Sequence, residues 1–293
     1  MRGKKTNKRA NSPDQNKVKH VNSKTAQDET QTAPASDLKR KQEVSERFGK
    51  HAESYATNPG HAQSDDLAIV LDLLKPQSDW NVLDVATGGG HMAALVAPHV
   101  TSVVASDLSQ GMLTAATKVF AAKGLTNVST VLTDVEALAF ADESFDAVTC
   151  RIAPHHFLNI EKAVAEMARV LKKGGVLLIE DNIAPQAARL DRFINTLEKL
   201  RDRTHVRSYT NREWREMVRA AGFNVTRTRD YRKKHDIADW ISRSELTDDE
   251  LAKLSIFLLA APNWARQAFL IEYANDCAVS FTDEKVILKA IKR

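Results

Sequence analysis

The chain predicts an α/β protein built on an open, mostly parallel sheet with helices on both faces, and three observations carry that prediction. From Asn81 onward, short apolar runs alternate with amphipathic stretches. The runs are continuous rather than alternating, as strands buried on both faces must be. The connections are long enough for a helix to cross back over the sheet, which parallel neighbours require. Strands are expected at 81–86, 102–107, 128–133, 145–151 and 175–181, and helices at 91–97, 109–123, 160–171 and 185–203. A helix at 211–221, a strand at 224–231 and a last strand at 285–291 follow. The stretch 236–274 reads as three helical segments that interrupt the sheet, large enough for a lid or substrate wall.

Two further helices precede the first strand. Phe48, His51, Ala52 and Tyr55 recur at helical spacing, and Leu67, Ala68, Val70, Leu71 and Leu74 form a second stripe that Pro76 ends. Residues 1–42 are rich in Lys, Asn, Gln, Ser and Thr and poor in large apolar residues. Such a segment cannot bury enough surface to offset its ordering entropy, so it reads as a disordered basic tail. The folded domain is expected over 43–293. The tail carries eleven Lys/Arg against four acids, while the remainder carries 31 against 34. The basicity therefore belongs to the tail, and the slightly acidic body does not point to nucleic acid.

Composition sets further bounds. Of 293 residues, 43% are hydrophobic and 27% charged, as in ordinary globular domains. No apolar run approaches the ~18 residues of a membrane span. The tail lacks the apolar stretch of a signal peptide. Only Cys150 and Cys277 are present, far apart in sequence. That matches a reducing, cytoplasmic setting, leaves no Cys-rich zinc site, and gives both the reading of small buried core residues.

The chemistry concentrates after the first strand. Val82-Leu83-Asp84-Val85 runs into Ala86-Thr87-Gly88-Gly89-Gly90 and then a helix. Gly88 to Gly90 allow a ligand close to the backbone, and the helix turns free N–H groups toward the same point. The second strand ends in Asp107, where an acid can accept both hydroxyls of a ribose. Gly88-x-Gly90-x-x-Ala93 also satisfies the dinucleotide fingerprint, so NAD is a rival. Three features pull away from NAD. Asp84 would repel a pyrophosphate but can meet an amino-acid ammonium. Asp134-Val135-Glu136, after the third strand, offers an acceptor for an adenine amino group, with Glu136 itself read as solvated. Arg151 to Phe157 put polar groups at the carboxyl edge of the sheet, where ligands of open α/β folds sit.

These motifs together resemble those of class I S-adenosylmethionine-dependent methyltransferases (methyltransferase domain type 11), in the small-molecule branch typified by ubiquinone/menaquinone-biosynthesis enzymes. The family's acidic-x-Gly-x-Gly-x-Gly loop is similar to Asp84-Val85-Ala86-Thr87-Gly88-Gly89-Gly90, with Ala86 replacing the first glycine. Asp134-Val135-Glu136-Ala137-Leu138-Ala139-Phe140, Ser144-Phe145-Asp146-Ala147-Val148 and Arg169-Val170-Leu171-Lys172-Lys173-Gly174-Gly175 resemble its later signatures. The likeness is strong over about 45–182. It implies a Rossmann-like, doubly wound, seven-stranded sheet of order 3-2-1-4-5-7-6 whose last strand is antiparallel. It implies S-adenosyl-L-methionine as cofactor, with Asp84, Ala86, Gly88 and Gly90 in its loop and Asp107 at its ribose. Leu108 and Met112 become adenine walls, Asp134 and Val135 adenine neighbours, and Tyr55 a residue closing over the cofactor.

Methyl transfer from a sulfonium asks the protein mainly to align the partners and exclude water. A base is needed only if the acceptor must lose a proton. His155 and His156 are the candidates, with a structural role capping Asn159 or the next helix as their rival. Adjacent histidines rarely converge on one ion, so no metal is expected. Arg151 is expected to meet an acidic substrate group or the Asp181 edge, and His205 or Arg207 to face substrate. The expected activity is methyl transfer to a small organic acceptor by a monomer or homodimer. The alternative is an RNA- or protein-directed methyltransferase that uses the basic tail.

Overall fold

The computed structural model describes residues 35–57, 66–242 and 244–293. Three helices lead in: α1 (Ala35–Lys50), α2 (Ala52–Thr57) and α3 (Asp66–Leu74). The sheet then builds through β1 (Asn81–Val85), α4 (His91–Val96), β2 (Ser102–Asp107), α5 (Gln110–Ala122), β3 (Val128–Leu132), β4 (Phe145–Arg151), α6 (Ile160–Val170) and β5 (Leu171–Ala184). After it come α7 (Ala188–Arg201), β6 (Tyr209–Thr210), α8 (Asn211–Ala220) and β7 (Phe223–Asp236). The chain closes with α9 (Ile237–Ser242), α10 (Asp248–Leu259), α11 (Asn263–Ala268), β8 (Glu272–Ala274) and β9 (Cys277–Lys292).

The strand order is β3-β2-β1-β4-β5-β9-β7. The first five are parallel, and β9 runs antiparallel to both neighbours. Counting β7 and β9 as the sixth and seventh principal strands gives the expected 3-2-1-4-5-7-6. Two short strands, β6 beside β5 and β8 beside β9, are additions the sequence reading lacks. Alternate residues of β1 feed two cores. Leu83 and Val85 join Met167 of α6 and Trp214 of α8 on one face, while Val82 joins Leu74, Met92 and Phe120 on the other. A third cluster gathers Phe193 and Leu197 of α7 with Trp240, Leu258 and Phe269 from the segment between β7 and β9. Among the described residues, no helix is long and apolar enough to cross a membrane.

Several boundaries differ from expectation, each for a local reason. The expected tail of 1–42 overlaps α1, which begins at Ala35; residues 1–34 lie outside the described residues. No residue of α1 is fully buried, so hydrophobic periodicity alone gives it little signal. At Gly49 its backbone packs closely on α5: a Cβ on Gly111 of α5 would lie 2.8 Å from the Gly49 Cα. The expected helix at 262–274 stops at Ala268, and a hairpin follows in which Asn275 and Asp276 take positive φ, the turn conformation these residue types tolerate. β9 therefore starts at Cys277, not 285, and β7 reaches Asp236. Cys150 is buried as expected, but Cys277, at the hairpin, is exposed.

Candidate active site

The parallel strands end at one edge of the sheet, and a cavity runs along that edge from α1 to β9. Its first half is built around the glycine loop. Ala86 leaves β1 with φ 51°, a left-handed conformation that costs a residue with a Cβ about 1–2 kcal/mol. Gly88 (φ +54°) lines the cavity, and a Cβ there would meet nothing within 4 Å. Its N–H donates to Asp107 Oδ2 at 2.9 Å, while Ser109 N–H donates to Oδ1 at 2.9 Å. Burial pushes the Asp107 carboxyl above its ordinary value against these two donors. Leu108, Met112, Val135 and Tyr55 line the same half.

The three glycines have three different jobs. A Cβ on Gly89 would lie 2.9 Å from the Tyr55 carbonyl oxygen, so α2 packs directly on the loop. The His91 ring fixes the same carbonyl at 2.9 Å. Gly90, expected at the cofactor, does not line the cavity. A Cβ there would sit 2.6 Å from the Phe120 ring, so this glycine serves helix packing.

Asp84 is buried at the end of β1 and lines the cavity. Thr87 donates to its Oδ2 at 2.6 Å and Thr149 to its Oδ1 at 2.7 Å. Burial raises its pKa to about 6 despite these bonds. It braces the loop through these threonines and the Ala93 N–H. Asp134 and Glu136 are held by Lys41 of α1, at 2.7 and 2.6 Å. Glu136 is buried, not solvated, and also accepts from Asn159 N–H at 2.8 Å. Lys41 thus spans from the expected tail into the cavity wall.

The second half centres on a tight 3₁₀ turn, Pro154–His156, after β4. Ile152 enters it with φ 50°, uncommon for a β-branched residue and typical of strain held at a site. His155 is buried, and its Nδ1 lies 2.6 Å from Asp181 Oδ1 at the end of β5. Burial lowers the imidazole pKa, but the Asp181 charge and hydrogen bond outweigh it, so His155 is held above its ordinary range. Among the described residues Nε2 has no hydrogen-bond partner, and His155 lines the cavity. His156 differs. Burial and the neighbouring His155 lower it to about 3, so it stays neutral while Nδ1 contacts Thr204 Oγ1 at 3.2 Å. Neither histidine caps α6, because Asn159 does so through Lys162 N–H.

Other expected contacts fall elsewhere. Arg151 pairs with Glu180 at 2.8 Å rather than with Asp181. His205 and Arg207 do not line the cavity. The first is buried against Asn195, and the second binds Asp191 and Glu213. Among the described residues of the 236–274 segment, only Trp240 lines it. The far wall comes instead from β7 and β9, through Tyr231, Lys233, His235, Asp283 and Lys285, with Glu198 and Arg201 of α7. Their sequence signal is Asp283 and Lys285 inside an otherwise buried strand and the polar alternation of β7. Among the described residues, no group of three or more His, Cys, Asp or Glu is arranged to hold a metal ion.

A family model described as a methyltransferase domain matches residues 83–179. The chain is 34% identical over 247 residues to the uncharacterised methyltransferase YcgJ of Bacillus subtilis, covering 84% of this chain and 98% of YcgJ. The crystal structure of YcgJ is similar with a TM-score of 0.75 and 33% identity, over 78% of this chain and 97% of that one. A methyltransferase-fold structure from Bacillus halodurans C-125 is 39% identical, with a TM-score of 0.76 over 78% and 99% of the two chains. A demethylmenaquinone methyltransferase of Bacteroides fragilis is 34% identical over 126 residues, 42% of this chain and 49% of that protein.

Sheet order, glycine loop and these similarities define a class I methyltransferase. The chain belongs to the methyltransferase domain family, and it is an enzyme that uses S-adenosylmethionine as its methyl donor.

Proposed function

We propose that this methyltransferase acts on a small organic acceptor, with His155 taking the acceptor's proton. The observation that carries the reading is the buried His155–Asp181 pair on the wall of the cavity that also holds the glycine loop. S-adenosylmethionine, when bound, supplies an electrophilic methyl group on a sulfonium. Asp107 would accept the ribose hydroxyls, and Leu108, Met112 and Val135 would flank the adenine. Asp134, whose Oδ2 already accepts from Lys41, would also accept from its amino group. Gly88 leaves room for the amino-acid portion beside Asp84, and Tyr55 closes the end under α2. Ala86 shapes the turn, and Gly90 acts only through the packing of α5.

Asp181 orients the His155 ring and stabilises its protonated form, leaving Nε2 to receive a proton from a hydroxyl or activated carbon. His156, neutral and wedged between Phe48 and Thr204, positions the turn. Two walls, α1–α2 on one side and β7–β9 on the other, suit a small acceptor better than a polymer.

The test is methyl transfer from labelled S-adenosylmethionine to a panel of small phenols, acids and amines, beside RNA and protein pools. Label in small molecules, lost in His155→Gln, is the expected result. Label confined to RNA or protein, and lost when residues 1–34 are removed, would overturn the reading in favour of the tail-dependent alternative.

A further inference from the structure

The far wall of the cavity is built for charge. In β7, half-buried Tyr231, Lys233 and His235 alternate with exposed Arg232, Lys234 and Asp236. A strand whose inward face is polar lines a wet site rather than an apolar core. Register carries the pattern across the sheet: Tyr231 pairs with Lys285, which pairs with Asn182 at the end of β5. Directly opposed residues of antiparallel neighbours point to the same face, so these three form one polar row.

Lys285 and Asp283 are 4% and 3% exposed, between Phe281 and Val286 in the middle of the fold. Burying such groups is unfavourable unless every donor and acceptor is answered. Two of the three Lys285 Nζ donors are answered, by Asn182 Oδ1 and by Asp283 Oδ2 at 3.3 Å. Asp283 Oδ2 also lies 3.0 Å from His235 Nε2, and both that nitrogen and Asp283 Oδ1 are buried without a hydrogen-bond partner. The wall therefore holds a spare donor and a spare acceptor on neighbouring side chains. A ligand that satisfies both brings an anionic oxygen for Lys285 and an O–H or N–H for Asp283. A prenyl chain brings neither.

Resting on the assignment of His155 as base, we propose that the acceptor is a small hydrophilic carboxylic acid bearing a hydroxyl or amine, anchored by Lys285 and Asp283. The anchor is coupled to the chemistry. The Lys285 charge reaches His155 and opposes its protonation, so an acceptor carboxylate that neutralises Lys285 also makes His155 a better base.

The test uses the full chain loaded with S-adenosylhomocysteine. Glycolate, malate and 4-hydroxybenzoate, each beside its methyl ester, and a reduced 2-prenyl-1,4-naphthoquinol are titrated by calorimetry. At least one acid is expected to bind tenfold or more tightly than its ester. Lys285→Met is expected to abolish that preference while S-adenosylhomocysteine affinity stays within twofold. If Lys285→Met loses that affinity, Lys285→Gln, which keeps a donor for Asn182, makes the same comparison. Absence of binding by every acid, equal binding of esters or of the quinol, or a preference that survives at position 285 would overturn the proposal. The role of His155 is read separately, from turnover in His155→Gln, so the two can fail independently.

Discussion

Replacing Asp107 by asparagine tests the cofactor site at its most determined atom pair. Both carboxylate oxygens accept a backbone N–H, from Gly88 and from Ser109, each at 2.9 Å. An asparagine has only one acceptor oxygen, so its NH₂ must face one of these donors and leave it unpaired, a cost of about 1–3 kcal/mol to the loop. On the proposed ribose contact, the ligand would lose more. Two hydrogen bonds to a charged acceptor are worth about 1.5–3 kcal/mol each, and the amide can replace only one of them with a neutral bond of about 1 kcal/mol. A net loss of about 2–5 kcal/mol is a rise of roughly 30- to 5,000-fold in Kd. Calorimetry with S-adenosylmethionine at neutral pH reads this directly, with circular dichroism to confirm folding. In the wild type, affinity should also fall on acidification. Burial raises the Asp107 pKa, so the carboxylate is neutralised earlier than an exposed aspartate would be. Asp107→Asn should lack that dependence. A variant Kd within threefold of wild type would refute the reasoning.

In Asp181→Asn, burial of His155 is opposed only by the weaker effect of Glu198, so its ring should titrate at lower pH by NMR; an unchanged titration would remove Asp181 from the site's chemistry. Because the folded His155 pKa is raised, the pair stabilises the protein fully below pH ~6.5, and this is lost as pH rises through the raised value. The variant should therefore lose about 1 kcal/mol of unfolding free energy at pH 6 and little at pH 9, measured with urea. Ala86→Gly relieves a left-handed alanine and should gain about 0.5–1 kcal/mol, after the entropy cost of glycine; a lower urea midpoint would contradict it. Gly89→Ala drives a methyl into the Tyr55 carbonyl and Ala56, so it should cost about 1–3 kcal/mol and weaken S-adenosylmethionine binding, and unchanged affinity would separate α2 from the cofactor site.

The sheet and its glycine loop were legible because period and punctuation agree there. Apolar runs such as Val82–Val85 end in glycines and acids at one edge, and the observed strands follow them. The far wall was not legible, because its residues combine only through register. Nothing local ties Asn182 to Lys285 and Tyr231, which are 103 and 54 positions from Lys285 and meet only when β9 inserts between β5 and β7. The packing role of Gly90 is hidden for a related reason: a motif specifies the residue type, but the neighbour it makes room for, Phe120, is thirty positions away. His205 and Arg207 were polar enough to look functional, yet Asn195, Asp191 and Glu213 absorb them. Lys41 was hidden by composition, since it lies in a basic stretch, and only the paired acids after β3 give it a destination.

The crossing of α1 over α5 has a consequence for how the molecule tolerates change. At Gly49 and Gly111 two main chains touch with no side chain between them. Neither position belongs to an apolar cluster, and α1 buries no residue fully. A Cβ on Gly111 would nevertheless lie 2.8 Å from the Gly49 Cα, whereas one on Gly49 would meet only the Ser109 hydroxyl, at 3.1 Å, so Gly111 is the unforgiving position of the two. A methyl added at Gly111 would lever the first helix outward, carrying Lys41 away from its carboxylates and unroofing the cavity from a position outside it.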